Sequence, residues 1–225
     1  VQELTKQFMD CFLKDDTTNG FLDRPPVRLE VRSSRDVIHA VRDEHEWPLA
    51  RTEYLRLHLA AAPLALVREP PTAAAEIVYP ARGGRVELAL RFDAATELSG
   101  YMKLRLWVEV RADGSAEPPP DDGVIFVAVS KRDRDGQTVY FEGSVGNTYD
   151  LVSRGFCRVS RRELDPVRST EWQPVPTGTS ERRLRPGEIV PVEIEIYPSS
   201  TFFAAGETLV LIVASDEIIP SPPYK

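Results

Sequence analysis

Val190-Pro191-Val192-Glu193-Ile194-Glu195-Ile196 places β-branched apolar residues at every second position, with Pro191 and the two glutamates between them. A period of two is that of a strand with one face buried and the other in water. The same pattern recurs upstream. Val27, Leu29 and Val31 alternate with Arg28 and Glu30, and Leu55, Leu57 and Leu59 with Tyr54, Arg56 and His58. Val86, Leu88, Leu90 and Phe92 alternate with Glu87, Ala89 and Arg91, and Leu104, Leu106, Val108 and Val110 form a further set. Continuous β-rich runs at 124–129 and 209–213, and a short one at 139–141 after the Asp135-Gly136 turn, complete about eight to ten strands. Helices that could serve as βαβ crossovers are missing between them, so the expected fold is all-β, an antiparallel sandwich or jelly roll. Loops at 112–123 and 165–186 have the length of crossovers between two sheets.

Helical periodicity is confined to the first segment. Leu4, Phe8, Cys11 and Phe12 fall at i, i+4, i+7 and i+8, which gathers them on one face of an amphipathic helix over 1–14. Asp15 to Gly20 is polar and ends in Asn-Gly, a helix stop and turn signal, so a boundary is expected near residue 20. The sequence starts at Val1 with neither a methionine nor a signal-like segment, the expectation for a chain processed or cut from something longer.

The chain has 225 residues, with 28 Lys+Arg against 35 Asp+Glu and a net charge of −7. That balance argues against nucleic acid, whose phosphates require a clustered basic surface. No apolar run approaches the roughly 20 residues that cross a bilayer. Cys11 and Cys157 are too far apart for zinc-ligand spacing and read as small buried hydrophobes; neither a metal nor a cofactor is expected. Scarce cysteine and the lack of a signal segment suit the cytoplasm.

Among the 13 glycines no two lie four apart and no two lie two apart. The first spacing is needed for the G-x-S-x-G nucleophile elbow and the second for G-x-G-x-x-G. Asp133-Arg134-Asp135-Gly136 has the start of a calcium loop without its distal glutamate and reads as a hairpin turn. His58 alternates with core leucines, while His39 and His45 are placed in a charged loop with Asp43, Glu44 and Glu46; none has a nucleophile to partner. No catalytic residue is assigned. Trp107 interrupts the polar side of its strand and so should point away from the core, toward a neighbouring domain or a ligand. Trp47, beside Pro48, and Trp172, in the long crossover, are candidates of the same kind.

Five stretches in order carry a resemblance. They are Arg42-Asp43-Glu44-His45-Glu46-Trp47-Pro48-Leu49-Ala50-Arg51-Thr52, Leu104-Arg105-Leu106-Trp107-Val108-Glu109, and Arg158-Val159-Ser160-Arg161-Arg162-Glu163-Leu164-Asp165-Pro166. The last two are Leu184-Arg185-Pro186-Gly187-Glu188-Ile189-Val190-Pro191-Val192 and Ile196-Tyr197-Pro198-Ser199-Ser200 with Ala205-Gly206-Glu207. Together they resemble the C-terminal domain of X-Pro dipeptidyl-peptidase and cocaine-esterase (CocE/NonD) type hydrolases. The resemblance implies a galactose-binding-domain-like jelly roll over 21–225 and, over 1–20, the last helix of an α/β-hydrolase domain. It also implies that the Ser-Asp-His triad lies upstream, in a catalytic domain that is the partner, and that the jelly roll helps close the active-site cleft and assemble an oligomer. Trp47, Arg51, Trp107 and Trp172 are then candidates for the domain interface or for ligand contact. The other reading is a free-standing β-sandwich module that binds a glycan or a protein through exposed aromatics. Two departures stand out. Phe156-Cys157 and Arg161 replace an aromatic-Leu pair and a His, and the chain stops at Ser221-Pro222-Pro223-Tyr224-Lys225, where the family adds a strand that would cover a sheet edge.

Overall fold

The computed structural model describes residues 2–112, 114, 119–143 and 147–218. Helix α1 (Gln2–Leu13) comes first, followed by β1 (Val27–Ser34), β2 (Val37–Glu44), β3 (His58–Ala61), β4 (Leu64–Val67) and β5 (Arg85–Arg91). Then come β6 (Thr96–Val108), β7 (Val124–Arg132), β8 (Thr138–Val139), β9 (Ser153–Arg158), β10 (Val190–Phe203) and β11 (Thr208–Ala214), with a 3-10 turn at Val159–Arg161.

Two sheets face each other. One has the order β2-β1-β10-β6; the other runs β3-β4-β5-β11-β7-β8, with β9 paired to the other half of β7. Most pairings are antiparallel, and β1 with β10 and β4 with β5 run parallel. The alternation that defines the strands also fills the core. Val190, Val192, Ile194 and Ile196 of β10 and Leu104 of β6 meet Val86 and Leu88 of β5, Ile125, Val127 and Val129 of β7, and Leu209, Leu211 and Val213 of β11. β11 is apolar on both sides because it is central. Its other face, Val210 and Ile212, is covered by Leu151 and Ile218.

β6 and β10 run twice as far as their alternating stretches. β10 continues through Pro198 by shifting register between Ile196 and Ser199, which fits proline's preference for bulges. β2 was not legible, and His39 lies in that strand rather than in a loop. Val31 pairs with Ala40 and Arg32 with Ile38, so His39 is an extra residue in a bulge that breaks the period of two. The alternation at 54–59 yields a strand only from His58; Tyr54 and Leu55 are exposed. Asp133-Gly136 forms the expected turn, with Gly136 at φ +81° and the Asp133 carboxylate accepting from the Asp135 and Gln137 amides. The end at Ser221–Lys225 and its uncovered edge lie outside the described residues.

Candidate functional site

Trp47 and Arg51, two of the four named positions, follow directly on β2 at the outer face of the four-stranded sheet. β2 ends at Glu44, whose side chain is only 10% exposed. The chain turns through the cis Trp47–Pro48 bond and brings Arg51 back to grip both carboxylate oxygens, with Nη1 2.8 Å from Oε2. Arg42 donates its Nε to Glu44 at 3.1 Å and forks its terminal nitrogens onto Glu97, one at 2.8 Å. Glu97 also accepts from Ser99 Oγ at 2.7 Å, and that hydroxyl lies 2.7 Å from Ser200 Oγ. The chain of charge-assisted bonds therefore crosses the face from β2 to β6 and β10. Arg51 holds the Glu44 carboxyl down to about 2, and Arg42 lowers Glu97.

Aromatic rings flank this array. Trp47 packs on Leu29, Val31 and Leu49, with its ring 6.3 Å from that of Tyr101 on β6. Trp172, from the long crossover, stacks on Tyr54 at 4.1 Å with the planes 8° apart. Tyr54 in turn reaches the backbone at Gly100–Tyr101; a Cβ on Gly100 would sit 3.6 Å from its hydroxyl. Trp47 thus lies beside Tyr101 and Trp172 reaches the same residue's backbone through Tyr54, while Arg51 is held at Glu44. Trp107 stands apart, six residues further along β6 and roughly 20 Å away by strand rise. It points outward and is 63% exposed, with the Arg105 guanidinium 4.8 Å over its ring and Arg105 beside Glu193. Glu44, Arg42, Glu97, Tyr54 and Tyr101 had not been singled out. Arg42 and Glu97 are 55 residues apart, and no local pattern relates them.

Groups able to do acyl-transfer chemistry are arranged differently from a relay. Ser160 Oγ donates to Asp122 Oδ2 at 2.8 Å, its amide donates to Oδ1, and Arg158 donates to the same carboxylate. Ser160 is fully buried and its hydroxyl proton goes to the carboxylate, with no imidazole between them. His39 stacks on Phe202 at 3.6 Å, His58 is half-buried on β3, and His45 is exposed. Cys157 is buried, which pushes its thiol up to about 11; Cys11 is buried as well. Among the described residues no three His, Cys, Asp or Glu side chains cluster as metal ligands would.

Helix α1 is the remaining unusual surface. Phe8, Phe12 and Phe21 form a triangle with centroids 5.0, 5.5 and 5.8 Å apart, yet Phe8 is 44% and Phe12 55% exposed.

The model of one protein family, described as the X-Pro dipeptidyl-peptidase C-terminal non-catalytic domain, matches residues 19–222. The chain belongs to that family. The chain is similar to a solved CocE/NonD family hydrolase from Staphylococcus aureus, at 34% identity and a TM-score of 0.88. The match covers 98% of this chain and 39% of that one, so the chain spans about two fifths of that hydrolase. Two more distant structures share the fold. An aminopeptidase from a marine sediment Thaumarchaeota archaeon has 16% identity and a TM-score of 0.59, and an alpha-amino acid ester hydrolase has 14% and 0.60. Each match covers 94% of this chain and 36% of the other. No curated protein sequence matches significantly. No described helix of the domain is long and apolar enough to cross a membrane.

Proposed function

We propose that the chain is the accessory jelly-roll domain of a larger serine hydrolase that cleaves acyl ester or peptide bonds. Its partner is the α/β-hydrolase domain of that enzyme, which carries the catalytic triad. The observation that carries this reading is the combination of a non-catalytic family match with a hydrolase relative of which the chain accounts for two fifths. The junction lies near residue 20, with the preceding helix belonging to the catalytic domain. Trp47, Arg51 and Trp172 on the outer face, and Trp107 further along it, contact the catalytic domain, help close its cleft and contribute to an oligomer. Support comes from Trp47 and Trp172, which both reach Tyr101 of β6, and from Arg51, which braces the Glu44 array beside them, because a rigid platform preserves its shape when another domain docks. Two buried free thiols suit a reducing, cytoplasmic setting.

The test is turnover by the purified 225-residue chain on a p-nitrophenyl ester and an X-Pro p-nitroanilide. None is expected. Turnover abolished by a point change within the chain would overturn the assignment. A second reading, a module that binds a glycan through Trp107, is favoured by that ring's exposure; it requires saturable glycan binding lost in Trp107→Ala.

A further inference from the structure

Phe126 of β7 and Phe156 of β9 are cross-strand partners on the side of the seven-stranded sheet that faces away from the core. Their neighbours Ile125, Val127 and Cys157 belong to the core, so alternation sends both rings outward. The ring centroids are 6.1 Å apart with the planes 33° from parallel. Phe126 is half-buried, whereas Phe156 is 62% exposed. A third ring arrives from the other sheet. β9 touches β10 at Gly155, and Tyr197 of β10, 51% exposed, lines the same cavity of about 310 Å³.

The segment after β11 supplies the charge. It is tied down by the Ser215 amide, which donates to the Gly84 carbonyl, and by the Asp216 carboxylate, which accepts from the Gly83 amide. Ile218 then packs on the outer face with Val210 and Ile212, and Glu217 lines the cavity beside it. Arg154, the cation at the cavity wall, is ion-paired with Asp150. The exposed Glu217 carboxylate has no hydrogen-bond or ion-pair partner among the described residues. Three rings and one uncompensated carboxylate therefore share one cavity.

That combination selects its ligand by chemistry. The faces of aromatic rings carry negative potential and attract cations, and a carboxylate does the same over a longer range. An anion is opposed by both, and a neutral apolar group would desolvate Glu217 without compensating its charge. A bare ammonium is strongly hydrated and would exchange water for rings that accept no ordinary hydrogen bond. Alkyl groups on the nitrogen remove that conflict, since they pack on the rings while the charge remains. We infer that this cavity binds an alkylated ammonium head, a tertiary or quaternary amine, with Phe126, Phe156 and Tyr197 against the alkyl groups and Glu217 balancing the charge. The site lies within the domain itself and stands whether or not the hydrolase reading does.

NMR titration of the 225-residue chain with choline tests it. Saturable shifts of the Gly155, Phe156 and Ile218 amides are expected, with half-saturation on the order of millimolar. The neutral carbon isostere of choline, with a tert-butyl group in place of the trimethylammonium, should bind at least about fivefold more weakly. Glu217→Gln and Phe156→Leu, both at exposed positions, should each weaken choline binding about three- to tenfold and leave the melting transition in place. A peptide carrying trimethyllysine separates the two sources of such a head. Binding at least about tenfold tighter than choline, and lost in the unmethylated peptide, assigns the site to a modified protein side chain; equal or weaker binding assigns it to a free small amine. Absence of saturable shifts with choline would overturn the site. So would equal binding of choline and its isostere, a comparison made on the wild-type chain and independent of how the variants fold.

Discussion

Gly155 of β9 lies against Glu195 of β10 so closely that a Cβ at position 155 would overlap the Glu195 carbonyl oxygen. The two sheets touch backbone to backbone there, well inside the usual spacing of about 10 Å. Ser153 Oγ, two residues back on β9, donates to the carbonyl of Tyr197, two residues on along β10, tying the crossing together. Gly155→Ala should therefore cost about 3 kcal/mol, the scale of overpacking a core. Gly178, at φ +72° with open space around it, should lose only about 1 kcal/mol on the same change, from backbone conformation alone. Urea unfolding of both variants checks the contrast, and equal losses would contradict it.

Lys131 is fully buried, and its ammonium is fully engaged. It donates to the carbonyls of Ser33 and Phe202 at 2.8 Å each and sits 2.7 Å from the Glu207 carboxylate. It pins β7 to the opposite sheet. Lys131→Met should destabilise by about 3 kcal/mol because it strands Glu207 with one amide donor, that of Ala204. Adding Glu207→Gln should return part of that loss, so a double-mutant cycle should show coupling of about 1 kcal/mol or more. Strict additivity would mean the pair is not linked.

Acid should unfold the chain through its outer-face carboxylates. Glu44 titrates at about 2 in the folded state against an ordinary 4.5, mainly because Arg51 grips it. A carboxyl with a depressed folded value stabilises the fold above its unfolded value, and that contribution is lost as pH falls from 4.5 toward 2. Urea midpoints should be flat above pH 5 and decline below it. In Arg51→Ala the decline over this window should be shallower, since Glu44 keeps only Arg42. A wild-type slope unchanged by the substitution would show that Arg51 does not set the Glu44 titration.

The framework of the sandwich was legible because period-two alternation is local. β10, β6 and β5 follow from it directly, as does the outward direction of Trp107, while β11 follows from its continuous apolar run. β2 was not legible because the His39 bulge breaks the period, and the Glu44 array was not because its members meet only after β1, β2, β6 and β10 assemble. Trp47 and Trp172 could be named as unusual aromatics, but their partners Tyr101 and Tyr54 carry no signal of their own. Lys131 lies beyond the apolar run at 124–129 that marks its strand, and only the approach of two carbonyls and Glu207 makes its burial tolerable.

Both thiols should resist alkylation in the native state. Burial raises Cys157 to about 11, leaving little thiolate at pH 8, and Cys11 is 4% exposed. Iodoacetamide followed by mass spectrometry should show no adduct in buffer and two in urea. Rapid native labelling of either cysteine would contradict its placement.

Membership of a working serine hydrolase is tested most directly by intact-mass spectrometry of the protein from its native source after fluorophosphonate treatment, which marks an activated serine. The expected result is a polypeptide well above 25.2 kDa that contains this sequence and gains one adduct. An unlabelled species at 25.2 kDa would contradict it and leave the domain acting alone.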